Sequence, residues 1–186
     1  ADRYRAAGDT TAAVERYEAL VDRHADTAEG RMAALALFEM RAGGLSDGDY
    51  LDGLQTFVDR GSFRPVIRRA RLLLGEALAR KGDFTAADTA LLGAYTDSRT
   101  PEERYEAAAE QARVALFAGD LGVMGRHIEA CMSALPGGVE TDDLLALRLL
   151  GLQCRAPAEH RRFVTYVGGH YALFRGDRAA AADSFR

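Results

Sequence analysis

A Gly-Asp pair recurs along this chain with the same flanks, at Gly8-Asp9, Gly48-Asp49, Gly82-Asp83, Gly119-Asp120 and Gly176-Asp177. Glycine adopts the left-handed backbone that ends a helix at the least cost, and the aspartate behind it can cap the helix that follows. Five residues past the glycine there is usually a small residue: Ala13, Gly53, Ala87 or Ala181. Four residues further stands a large apolar one: Tyr17, Phe57, Leu91 or Phe185. The pattern predicts a helix-turn-helix unit repeated along the chain. Each such unit leaves an apolar face open, so the units must stack.

The rest of the chain reads as helix. Sustained apolar-polar alternation and Asn-Gly hairpin turns are missing, and Ala, Leu, Arg and Glu dominate, all good helix formers. Helices are expected over 1–7, 10–23, 27–42, 48–60, 65–80, 84–96, 101–117, 121–134, 141–152, 158–174 and 178–186. Pro65 and Pro101 fall where a first turn tolerates a missing N–H. Thr100, with Glu103 three residues on, forms a capping-box pattern. Successive glycines at Gly8, Gly48, Gly82 and Gly119 are 40, 34 and 37 residues apart, whereas Gly119 to Gly176 is 57. The excess lies over 137–157 and contains one apolar helix around Leu144–Leu150. An inserted helix, a degenerate unit and a missing loop all account for it.

A period of about 34 residues with Leu-Gly, an aromatic residue and Ala in order is that of tetratricopeptide units. Residues 68–95 resemble this family through Leu74-Gly75, Leu78, Gly82-Asp83-Phe84, Ala87, Leu91 and Ala94. Residues 162–185 resemble it through Gly169, Gly176-Asp177, Ala181 and Phe185. Residues 105–136 match more loosely, with Ala112 for the first-helix glycine, Met124 for the second-helix alanine, and a closing Pro136. Residues 4–20 supply a second helix through Ala13 and Tyr17; the tryptophan of the family pattern is missing throughout. The resemblance implies a bacterial all-α protein, a right-handed α-solenoid of antiparallel helix pairs with one irregular insertion. As a single domain it has units at about 1–24, 27–60, 65–97, 101–136 and 158–186, with 137–157 irregular. Gly75 is then expected to face the helix that carries Ala87, where glycine's cost in a helix of about 1 kcal/mol is offset by close packing. Ala1 opens inside one expected helix and Arg186 ends inside another, so the chain is expected to be a fragment.

Composition excludes more than it assigns. A net charge of −4, from 28 acids and 24 interleaved bases, gives no basic stripe for nucleic acid. No apolar run approaches the ~18 residues of a membrane span. His24, His127, His160 and His170 make no metal-ligand spacing with Cys131 and Cys154, which read as small buried apolar side chains. Gly119, Gly122 and Gly125 lack the strand and the Gly-Lys-Ser/Thr of phosphate loops. No catalytic residue, cofactor or metal is therefore assigned, and the expectation is a protein that is not an enzyme.

In tetratricopeptide proteins the first helix of each unit lines the concave wall. The resemblance therefore implies a partner-binding groove from Arg31, Leu35, Phe38, Arg69, Leu73, Glu76, Arg80, Glu110, Arg113, Phe117, Phe163, Tyr166 and His170. Arginines beside aromatic rings suit a protein or peptide segment that is acidic or amphipathic. Equally, the arginines can pair with Glu76 and Glu110 and merely solvate the wall. Two functions stay open: a scaffold or adaptor protein of the cytoplasm or periplasm, and a sensor or regulatory repeat segment of a larger bacterial signalling ATPase or transcription regulator.

Overall fold

The structure, a computed structural model, describes residues 10–136, 141–153 and 157–185. The expected helix over 1–7, the Gly8-Asp9 pair and Cys154 lie outside them, as do the side chains of Asp142, Asp143 and His160. Among the described residues every regular element is helical: α1 (Thr10–His24), α2 (Ala28–Arg41), a 3₁₀ turn (Ala42–Gly44), α3 (Asp47–Asp59), α4 (Arg64–Lys81), α5 (Phe84–Asp97), α6 (Pro101–Phe117), α7 (Leu121–Ala134), α8 (Thr141–Gln153), α9 (Pro157–Phe174) and α10 (Arg178–Ser184). The chain divides into two compact units, 1–74 and 75–186, with the boundary inside α4.

In the first unit α1 packs along α2, burying Ala13 and Tyr17 against Ala33, Ala36 and Leu37. Thr27 caps α2 by accepting from the Gly30 N–H at 3.1 Å. α2 meets α3 through Phe38. Its ring stacks on Tyr50 at 5.4 Å, tilts against Phe57 at 5.7 Å, and fills the space where a side chain on Gly53 would stand. Gly48-Asp49 is not a turn. Ser46 caps α3 by accepting from the Asp49 N–H at 3.2 Å, so the pair occupies the helix's first turn with ordinary backbone.

The second unit repeats one local geometry three times. Gly82, Gly119 and Gly176 have φ of +87°, +76° and +81°, the left-handed conformation that suits glycine. At each, the glycine N–H reaches back three residues and the aspartate N–H reaches back five, to Ala79 and Leu78, Leu116 and Ala115, and Leu173 and Ala172. This double closure satisfies carbonyls that the helix end would leave open. Asp83, Asp120 and Asp177 then accept from the N–H three residues on, at 3.1, 2.9 and 3.0 Å, and start α5, α7 and α10. Thr100 and Glu103 close the expected capping box before α6.

Consecutive helices pack as neighbours: α5 on α6, α6 on α7, α9 on α10. A side chain on Gly75 would meet Leu91 Cγ at 2.6 Å and the Ala87 carbonyl at 3.3 Å, the close approach the spacing anticipates. Gly169 stands in the same relation to Phe185, whose ring atoms lie 2.6 Å from such a position. The core centres on Ala108, Ala112, Leu116, Met124, Ile128 and Cys131, closed by Leu144, Phe163 and Val167. Cys131 is fully buried, as expected of a small apolar side chain, and its thiol donates to the Tyr105 carbonyl at 3.8 Å. The irregular segment supplies α8, which packs on α7, while α9 reaches back to α6. The Gly-Asp turn recurs between α9 and α10.

Candidate functional site

In the first unit Arg31 lies 3.8 Å from Asp26, and Arg69 lies 3.2 Å from Glu39. Leu35 and Leu73 are buried, so two positions expected on a wall belong to the packing instead. Phe38 is likewise engaged between α2 and α3. Its ring fills the room that Gly53 leaves.

The second unit gathers the other expected residues around α4, α6 and α9. Arg80 pairs with Glu76 at 2.7 Å one turn away, and Arg113 pairs with Glu110. Both guanidinium groups lie over one ring, Phe174, at 5.3 and 5.0 Å from its centroid. Arginine over an aromatic face gains from the ring quadrupole while its stem covers apolar surface. Phe117 packs on Phe174 at 5.0 Å and on Tyr171 at 5.2 Å; Phe84 meets Tyr171 edge-on. The Tyr171 hydroxyl donates to the Ala79 carbonyl at 2.9 Å.

Tyr171 and Phe174 are site residues that the sequence reading passed over. A signal existed: Phe174, Phe117 and Arg80 each stand two residues before a turn glycine, so they occupy one repeat position. Phe163 corrects the expectation in the other direction. It is 3% exposed and packed in the core with Ile128 and Val167, because α9 turns that side onto α6. Tyr166 and His170 do lie at the surface, 4.3 Å apart between ring centroids.

The wall mixes both signs of charge: a third guanidinium, Arg175, lies 5.5 Å from the centroid of the Tyr171 ring. Burial holds the Glu110 carboxyl above its ordinary range, and the neighbouring carboxylates of Glu76 and Glu106 push the same way against the opposing Arg113. Elsewhere, burial lowers the His127 imidazole below the usual histidine range, with Asp88 at 3.6 Å opposing and Arg126 assisting. Among the described residues no three His, Cys, Asp or Glu side chains converge closely enough to hold a metal ion. A shallow depression of ≈ 170 Å³ lies between α7 and α8, lined by Gly122, Met124, Gly125 and Gly151 with the Arg148–Glu129 ion pair beside it. No helix among the described residues is long and apolar enough to cross a membrane.

The fold and this surface define a class: an all-α, repeat-like protein of adjacent helix pairs with an arginine-aromatic wall on its second unit. Compared with family models, curated proteins and solved structures, the chain gives no match in any of the three.

Proposed function

We propose that this chain is a tetratricopeptide-like repeat module, a right-handed stack that acts as a non-catalytic scaffold by holding a segment of a partner protein. The observation that carries the reading is the three-ring, two-guanidinium wall on which Arg80, Arg113, Phe117, Tyr171 and Phe174 converge from α4, α6 and α9. Half-buried rings and the arginine stems over them give a partner contact area that is already ordered. Both wall arginines already hold a carboxylate, and Glu110 has two further carboxylates near it. An amphipathic segment that lays apolar residues on the rings and sets charges against Glu110 and Arg175 fits this surface.

A photo-crosslinking residue placed at exposed Glu106 tests the reading in cells of the source organism, with exposed Arg99 as the control position. A discrete adduct with another polypeptide is expected from position 106 and not from 99. The adduct should disappear in an Arg80→Ala, Arg113→Ala variant with unchanged helicity. No adduct, or one indifferent to that variant, overturns the wall as the binding site.

A further inference from the structure

Three helices of the second unit meet at a polar junction that the wall does not use. Asp88 stands on α5, Gln111 on α6 and His127 on α7. Gln111 is buried, and its amide donates to Asp88 Oδ1 at 2.9 Å. His127 Nε2 lies 3.6 Å from the same oxygen, beyond hydrogen-bond reach. That nitrogen is itself buried and has no hydrogen-bond partner. Around it on α7, Met124, Ile128 and Cys131 are all buried in the core. A buried polar atom left open is costly and calls for a reason.

Few charges bear on His127. Asp88 of α5 draws a proton towards the imidazole, and Arg126 on the same helix opposes it. α6 contributes the neutral Gln111 amide, and on α8 the Arg148 guanidinium is held by Glu129. A proton on the ring changes the balance. The new cation needs a close acceptor, and Asp88 is the carboxylate at hand. Closing the 3.6 Å gap pulls that carboxylate from Gln111 and leaves a buried amide open. Turning the ring out to water instead removes it from the junction. We infer that the Asp88–Gln111–His127 junction is a proton-operated latch, shut while the imidazole is neutral and opened when His127 takes up a proton. It holds α5, α6 and α7 together above the ordinary histidine range and loosens them in mildly acidic surroundings. Burial lowers the imidazole's affinity for a proton in the folded state. The stability that neutral His127 supplies is therefore complete above a pH of about 6.5, and it is lost as pH falls through the lowered folded value.

Proton NMR of the imidazole Cε1–H signals, followed from about pH 8 to about pH 5 in the full chain, tests the latch. The His127 midpoint should lie below its value in the chain unfolded by urea. Asp88→Asn removes the attracting charge and should lower that midpoint further. Amide exchange, corrected for its intrinsic pH dependence, reads the opening: α7 should lose protection several-fold between about pH 7.5 and about pH 5.5. His127→Gln, which keeps a neutral polar side chain, should remove that loss. His170→Gln, on α9, should retain it. Circular dichroism at the higher pH checks that the variants are folded; if His127→Gln is not, the wild-type titration decides alone. A His127 midpoint at or above its unfolded value overturns the latch. So does undiminished protection of α7 at the lower pH, or a loss that folded His127→Gln leaves intact.

Discussion

Two helix-interior glycines in this protein have opposite prospects. Gly168 has nothing within 4 Å of where a side chain would begin, and it sits inside α9. Alanine there lowers the unfolded chain's entropy without strain, so Gly168→Ala should stabilise by about 0.5–1 kcal/mol. Gly75 is also inside a helix, but its new methyl would press on the fully buried Leu91. Overpacking of about 1–3 kcal/mol exceeds the gain in helix propensity, so Gly75→Ala should destabilise. Denaturant midpoints of the two variants, moving apart around wild type, check the pair. Glu110 makes a residue-scale pH prediction. Its folded-state affinity for a proton is raised, so ionisation opposes folding, and stability is lost as pH rises from the ordinary carboxylate range through the raised value. Glu110→Gln should therefore raise the melting temperature at pH 7 and lose that advantage near pH 4, where the wild-type carboxyl is protonated. A larger destabilisation at pH 7 than at pH 4 would contradict the burial assigned to it.

Helices were legible in this sequence because their ends are written locally. A glycine that must go left-handed, followed by an aspartate that caps, specifies a boundary within four residues, and α5, α7 and α10 begin where that grammar puts them. Gly48-Asp49 shows where it fails. Ser46 offers a better cap two residues earlier, the helix starts ahead of the glycine, and the pair becomes first-turn residues. The insertion was legible as an excess of length but not as a placement. Which neighbour α8 chooses depends on Leu144, Gly151 and Met124 meeting across long separations. The wall was half legible for the same reason. Ion pairs one turn apart follow from spacing, as with Glu76 and Arg80. The turn of α9 that buries Phe163 and brings Phe174 between two arginines is a tertiary decision.

Protection should vary across the whole molecule with the density of its core. α6 and α7 carry the fully buried Ala108, Ile128 and Cys131, whereas α10 is followed by an exposed Phe185 and, among the described side chains of α8, only Leu144 and Gly151 are buried. Native-state hydrogen exchange should be slowest in α6 and α7 and fastest in α8 and α10. Uniform protection would contradict this gradient. A small group of contacts stands apart from the neighbour-to-neighbour packing, among them the bond from the Tyr171 hydroxyl to the Ala79 carbonyl, 92 residues away in the chain. Local helix pairs can assemble quickly and in any order, but this bond must wait until the loop between them has closed, at an entropic cost that grows with the logarithm of its length. Its closure costs less once the pairs between its ends have shortened the path. Tyr171 thus ties the two ends of the second unit together, so that opening either end also breaks a bond at the other.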